Sequence, residues 1–458
     1  MSLKVLAPLD PGFRPLEIEM RAYEKAAAAS ANAVDFGVLI LRNQGYCDHY
    51  VGKVFADGED ARTVPLMDRL VKTMLWARGG YKIVVHGSKS VYEHLKAAYQ
   101  EGGERAFDAD FMATVYERPF EVEYAETMDE VKISRSSASS VGRHLKGCRI
   151  GFDAGGSDRK VSAVIDGEAV YSEEVVWFPK LNEDPNYQYQ EILAAFRTAA
   201  SKMPRVDAIG VSSAGVFIGN APMVSSIFYK VPRSKWDFVK TVFDRAAAEI
   251  GPNIPILVAN DGDVSALASA IGLGKGNLMG LAMGTSEAVG YVDQDQNVLG
   301  WINELAFAPV DLQEGAMQDE WSTDYGVGCK YFSQDAVIKL APWAGIEIPE
   351  ELSLADKLKF VQKLMEADDP RAIAVFETIG AYLAYTVVLY SQFYDLDYLM
   401  LLGRVMSGKG GDTILRVCNE ILADEYPELA AKCTVTLPDE KMRRVGQSVA
   451  AASLPALR

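Results

Sequence analysis

Residues 148–166 read CRIGFDAGGSDRKVSAVID, two largely apolar runs on either side of a turn that carries paired glycines. Short apolar runs bounded by such a turn predict a strand, a tight loop and a second strand. At Gly155 and Gly156 backbone N–H groups can approach an anion with no Cβ in the way, and Ser157 and Lys160 add further donors. The turn therefore has the composition of a phosphate cradle, and equally that of a plain Gly-Gly hairpin. Because a strand follows it, it is neither a Walker loop nor a Rossmann fingerprint, both of which run into a helix.

Downstream, AVYSEEVVWF reads as a third strand, Tyr187 to Lys202 as a helix, VDAIGVSSAG as a strand and Trp236 to Ile250 as a helix. The strand IPILVAND then leads into the helix DVSALASAIG, and LMGLAMGTS opens what reads as a second lobe. Strand hairpins followed by alternating helices and strands predict an α/β fold with mixed sheets, not a doubly wound parallel one. The strand end Asn260-Asp261 falls where open α/β sheets collect ligands. A carboxylate at Asp261 can accept the proton of a hydroxyl attacking a terminal phosphate, with Asn260 orienting that hydroxyl. Asn and Asp also cap helices routinely, so both readings stand. Gly284-Thr285-Ser286, with Gly290 beyond it, can hold the other side of a polyphosphate or simply punctuate a strand.

Upstream, residues 16–31 read as a helix, FGVLILRNQGYCDHYVGKVF as a hairpin turning near Asn43 to Gly45, and Met67 to Arg78 as a second helix. A strand at Lys82 to Val85, a helix at Ser88 to Tyr99 and the strand PFEVEYA complete a small α/β unit. The polar, Ser-rich stretch MDEVKISRSSASSVGRHLKG reads as a linker. The expected division is residues 1–145, a first lobe at 146–275 and a second lobe at 276–458.

A chain of 458 residues that is 49% hydrophobic has material for sizeable cores. Its formal charge of -17 opposes nucleic acid as a partner, since phosphate backbones are bound by basic surfaces that release counterions. Cys47, Cys148, Cys329, Cys418 and Cys433 are widely spaced, so neither a disulfide framework nor a zinc knuckle is expected, and a reducing cytoplasm suits them. All four histidines precede residue 145, which removes triad hydrolases from the larger part. No leader is read at the N-terminus, and Ala372 to Tyr390 reads as a core helix instead of a membrane span because Glu377 and several hydroxylated residues interrupt it.

Taken together, these segments resemble the ROK family of sugar kinases and repressors within the actin-like ATPase superfamily, from about Arg149 to the C-terminus. GFDAGGSDRK is similar to the first phosphate loop of that family, AIGVSSAGVFIGN to its sugar-side glycine segment, VANDGDVSALA to its Asn-Asp strand end and LAMGTSEAVGYV to its second phosphate loop. The resemblance implies a two-lobed actin-like ATPase fold, and ATP and magnesium as cofactors of a sugar phosphorylation. Asp261 would be the general base; Ser213, Gly215, Asn220, Asn260 and Glu304 would face the sugar, and Asp153 would organise the magnesium ion. Gly155, Gly156, Ser157, Lys160, Gly284, Thr285 and Ser286 would contact the phosphates, with Gly403, Ser407 and Gly408 near the nucleoside. It implies a homodimer and a C-terminal helix that packs on the first lobe and carries Lys441, Arg443 and Arg444.

Three departures stand out. Residues 304–307 read Glu-Leu-Ala-Phe where the family has Glu-x-Gly-His, and WSTDYGVGCKYF replaces its cysteine-rich zinc loop. No structural zinc is expected, because Cys329 alone cannot hold one. Asp263 stands where an Asn is common. A non-catalytic sugar or nucleotide sensor is the alternative these departures favour. A repressor would need a basic recognition helix, and residues 1–145 show none.

Overall fold

Alternating apolar positions between residues 33 and 55 fold into an antiparallel pair, β1 (Ala33–Leu41) and β2 (Cys47–Phe55), joined by a turn in which Gln44 and Gly45 take φ of 62° and 74°. This computed structural model describes residues 7–135, 141–438 and 446–457, so the basic trio Lys441, Arg443 and Arg444 lies outside the described residues, as does the middle of the Ser-rich linker. Contacts divide the chain into two units. One comprises residues 1–137, 281–289 and 301–437; the other comprises 138–280, 290–300 and 438–458. Residues 1–137 thus belong to one compact body with the later segment 301–437.

In the first unit, α1 (Leu16–Ala29), α2 (Thr63–Arg78), α3 (Lys89–Ala98) and α4 (Ala106–Tyr116) accompany a four-stranded sheet of order β2-β1-β3-β4, with β3 at Lys82–His86 and β4 at Glu121–Tyr124. Helix α2 starts four residues earlier than its sequence pattern predicts and is buried along nearly its whole length. Ser88 caps α3 by accepting from Val91 N at 3.2 Å. Helix α4 was not foreseen from the sequence.

The second unit is built on a five-stranded sheet of order β11-β8-β5-β6-β7. Strands β5 (Cys148–Ala154), β6 (Asp158–Ile165) and β7 (Glu168–Val176) form an antiparallel meander. After α5 (Pro185–Ala200), β8 (Ala208–Ser213) joins β5 in parallel, a small hairpin forms from β9 (Val216–Ile218) and β10 (Ala221–Val224), and α6 (Trp236–Val239) and α7 (Val242–Ile250) follow. Strand β11 (Ile256–Asn260) then joins β8 in parallel and runs directly into α8 (Asp261–Leu273). The sheet is mixed, as the sequence pattern predicts, whereas the single helix expected over 236–250 is broken at Lys240–Thr241.

Gly151 on β5 and Gly210 on β8 are register partners, and a Cβ on either would overlap backbone carbonyls of Ser448 or Ala451. The C-terminal helix Gln447–Ala452 therefore lies with its backbone directly on the sheet. Arg149, buried, anchors the following turn through Nη1 to the carbonyls of Ala452 (3.2 Å) and Pro455 (2.7 Å). Beneath the sheet Ile150, Phe152, Phe196, Ile209, Val211 and Val258 share one core cluster.

The chain passes between the units within β12 (Leu278–Met283) and β13 (Glu287–Val292), which belong to a sheet of order β13-β12-β14-β15. The remaining elements are α9 (Gln334–Trp343), α10 (Leu354–Glu366), α11 (Pro370–Tyr390), β14 (Tyr398–Leu402), α12 (Lys409–Glu425), α13 (Pro427–Lys432) and β15 (Thr434–Thr436). Helix α11 is long and apolar enough to cross a membrane by length and composition, yet 83% of its apolar window is buried inside the protein, as in a core helix.

Candidate functional site

The parallel strands β5, β8 and β11 end side by side, with Ala154 opposite Ser213 and Ser213 opposite Asn260. One residue back on β5, Asp153 Oδ1 accepts a hydrogen bond from Ser212 Oγ at 2.9 Å. Gln447 on the C-terminal helix donates from Nε2 to both Ser212 Oγ (2.9 Å) and the carbonyl of Asp261 (3.0 Å), which ties the three strand ends together. Asn260 caps α8 by accepting from Gly262 N at 2.7 Å, and its Nδ2 donates to the carbonyl of Gly215 at 2.7 Å. The cap reading is met: the Asn260 amide holds the strand end, and Asp261 follows it as the first residue of α8.

Electrostatically this corner stores negative charge in a poorly hydrated place. Burial pushes the Asp153 carboxyl up to about 6; the Ser212 hydrogen bond opposes that and the charge of Asp261 adds to it. Burial likewise raises Asp261, whose Oδ1 accepts from Gly262 N at 3.0 Å. A raised carboxylate is a stronger base than a free one, and it invites a cation. Ser213 Oγ, fully buried, has no hydrogen-bond partner among the described residues.

The glycine turn lies at the same edge of the second unit. Trp177 locks it by donating Nε1–H to the carbonyl of Gly155 at 2.7 Å and its backbone N–H to that of Ser157 at 3.2 Å. Lys180 lies over it: a Cβ added to Gly156 would stand 2.8 Å from Lys180 Nζ. Lys160, in register opposite Asp153, points its ammonium between Asp158 (3.8 Å) and Glu174 (3.7 Å). Asn220 serves elsewhere: its amide is used up on Asp244 Oδ1, Ile256 O and Val258 N, where it splices the β9–β10 hairpin onto the start of β11.

In the first unit, Gly284-Thr285-Ser286 turns with Gly284 N bonded to Ser286 O at 3.0 Å, and Arg404 Nη2 donates to Thr285 Oγ1 at 3.0 Å. Gly403, with φ of +93°, abuts the Met283 backbone, so this turn and Gly403 adjoin. Gly408, at φ +67°, precedes α12, whose first N–H (Lys409) is held by Glu366 Oε1 at 2.9 Å. A carboxylate of the protein itself thus occupies that helix N-terminus, the end that attracts anions. Ser407 lies in the turn between, bonded through its N–H to Arg404 O.

Glu304 is placed by α2: the N–H groups of Asn303 and Glu304 donate to the carbonyls of Ala77 and Trp76. Phe307, where the resemblance would put a histidine, packs against Trp76, Phe107 and Phe111, with ring centroids 4.6, 5.3 and 6.4 Å away. Cys329 donates to Asp319 Oδ1 at 3.5 Å, and no group of three or more His, Cys, Asp or Glu gathers to hold a metal among the described residues. Ser212, Gln447, Lys180, Arg404 and Glu366 escaped the sequence reading. Only Ser212, inside the quoted SSAG segment, carried a local signal.

No family model matches the sequence, and no curated protein matches it. Among solved structures, the ROK hexokinase from Thermus thermophilus is 15% identical, with 67% of this chain and 97% of that chain covered at a TM-score of 0.51. A ROK family transcriptional regulator, a homolog of the E. coli MLC protein, is also 15% identical, with 68% and 79% covered at a TM-score of 0.53. At such identity the likeness speaks of fold alone, and by fold the chain is a divergent ROK-like α/β protein with mixed sheets.

Proposed function

We propose that the chain phosphorylates a sugar hydroxyl with ATP, with Asp261 as general base. The observation that carries this reading is the Asn260-Asp261 strand end, where one side chain is consumed in positioning and the adjacent carboxylate is raised toward the range of a useful base. Asp261 takes the proton of the sugar hydroxyl, the sugar oxygen bonds the terminal phosphorus, and the bond to the bridging oxygen breaks with ADP leaving. Gly155, Gly156 and Ser157 receive the phosphates, and Lys180 adds positive charge over the turn. Asp153 suits a magnesium ion held mainly by phosphates and water, since a single raised carboxylate fixed by Ser212 is the ligand set such an ion needs. When bound, that ion neutralises phosphate charge.

A second reading, a sugar or nucleotide sensor without turnover, is favoured by two particular observations: Phe307, half-buried in an aromatic cluster where the resemblance would put a sugar-binding histidine, and Glu366 seated at the N-terminus of α12. The test is ADP release with magnesium and ATP across hexoses, amino sugars and polyols, comparing the intact chain with Asp261→Asn. Sugar-dependent turnover lost in the variant by a factor of roughly 100 or more supports the kinase. Saturable binding of sugar or ATP with no turnover by either protein refutes it in favour of the sensor.

A further inference from the structure

The first unit contains a cavity of about 400 Å³, remote in sequence from every residue discussed as catalytic, formed by α1–α2 residues on one side and the segment 311–325 on the other. Three guanidinium groups line it: Arg14, Arg62 and Arg69. Each is engaged by a carboxylate, Arg14 by Glu19, Arg62 by Asp60 and Arg69 by Asp324, and Asp311 stands at the wall as well. Asp311 is saturated by Arg14 N, Gln313 N, Gln313 Nε2 and Tyr331 OH, at 2.5 to 3.0 Å. Glu19 pairs with Arg14 at 3.2 Å, and its charge also acts on Arg62. What such a wall offers an anion is therefore the directed N–H donors of the guanidinium groups and not an excess of positive charge.

The three arginines are differently prepared. Arg69 is mostly buried and held by one short hydrogen bond, Nη1 to Asp324 Oδ2 at 2.6 Å, so a ligand that reaches it orders little more of its side chain. Arg14 and Arg62 are 52% and 50% exposed; Arg14 meets Glu19 in a surface pair that exchanges readily, whereas Arg62 grips both oxygens of Asp60 through Nε and Nη2, at 2.6 to 3.2 Å. The rest of the wall is apolar: Leu66, Leu312 and the ring of Tyr325. Tyr325 is fixed at its backbone, N–H to Asp324 Oδ1 at 2.8 Å, yet its side chain stays 49% exposed, a large flat surface with its position set and its face uncovered.

The geometry points to a binding site for a small organic anion, with its carboxylate or phosphate on Arg14, Arg62 and Arg69 and its apolar body against Leu66, Leu312 and Tyr325. The volume lies at the lower end of that of small-molecule pockets, which suits a ligand of a single ring. Guanidinium forks recognise carboxylate and phosphate alike, so the head group is the shared chemistry. The ligand bridges residues 14–69 and the segment 311–325, and it reaches Asp324 through Arg69.

Calorimetric titration of the full-length protein with benzoate, phenyl phosphate and inorganic phosphate separates the two head groups and the apolar part. The expected result is saturable binding of benzoate or phenyl phosphate below about 10 mM, tighter than inorganic phosphate, weakened at least ~10-fold in Arg14→Gln/Arg62→Gln and also in Tyr325→Ala. Both alter exposed side chains, and an unchanged thermal midpoint of the free variants verifies the fold. The proposal is overturned if none of the three probes saturates, or if binding is equal in the parent and both variants, which would seat the probe elsewhere, as at the glycine turn.

Discussion

Glu287 opens β13 with 4% of its surface exposed, and among the described residues it has no ion-pair partner. Its Oε1 receives the Tyr390 hydroxyl at 3.4 Å, while Oε2 faces Gly328 and has no hydrogen-bond partner among the described residues. Burial pushes the carboxyl up to about 8 from an ordinary 4.5; the Tyr390 bond opposes this slightly and the neighbouring Glu304 adds to it. The sign follows from proton linkage. The unfolded chain releases this proton near pH 4.5 and the folded one only near 8, so the stabilisation is complete below 4.5 and is lost as pH rises through 8. The slope is about 1.4 kcal/mol per pH unit, which accumulates to roughly 3 kcal/mol between pH 5 and 7.5. Glu287→Gln keeps the size and the acceptor for Tyr390 but has no proton to lose. Urea unfolding of both proteins from pH 5 to 8.5 should therefore give stabilities that converge at the acid end and diverge with pH, the variant being the more stable by a few kcal/mol at pH 8. Asp153 and Asp261, raised in the same direction, are common to both and drop out of the difference. A difference that stays flat with pH would refute the claim that Glu287 is buried as a neutral acid.

Asp324→Asn removes the anion that Lys72, Arg69 and Arg105 share and that those cations hold, against the pull of burial, well below the usual carboxylate range; a loss of roughly 3–5 kcal/mol is expected in denaturant unfolding. Gly290→Ala would drive a Cβ into the Gly262 carbonyl next to Asp261, and should cost about 1–3 kcal/mol or more while lowering any turnover out of proportion to substrate affinity, measured as kcat against KM. Asp261→Asn should abolish sugar-dependent ADP release without changing the thermal midpoint by more than a few degrees, because its backbone carbonyl, not its side chain, receives Gln447 and Ser265.

What could be read from the sequence was what neighbouring residues decide. The β5–β6 hairpin, the strand-to-helix junction at Asn260-Asp261 and the capped α3 all announce themselves within a few residues, because period, glycine placement and capping are local. Helix α4 was missed because its apolar residues, AFDADFMATVY, are spread round the helix and show no stripe. The break between α6 and α7 coincides with Thr241, whose hydroxyl bonds the carbonyl of Phe238 at 3.1 Å in competition with the helix ladder. At the site, Asn220 sits in a segment that suits a sugar contact, but its amide finds Ile256 and Val258, more than thirty residues on. Lys180 over Gly156 and Gln447 on Ser212 are likewise products of the fold, and no local pattern encodes them.

The same distinction explains what residues 1–137 do for the rest of the first unit. By composition they are a separate α/β piece, yet α2 supplies carbonyls to Asn303 and Glu304, Trp76 and two phenylalanines of α4 enclose Phe307, and Lys72 and Arg105 meet Asp324. Each tie grips the stretch 303–324, where the departures from the ROK pattern are concentrated. The ring of Phe307 is half-buried, packed against Trp76 of α2 and Phe107 and Phe111 of α4. Two charged groups in a buried network are tolerable only when every partner is present. Helices α2 and α4 thus hold the stretch 303–324 in place, and Glu304 takes its position from the carbonyls of α2.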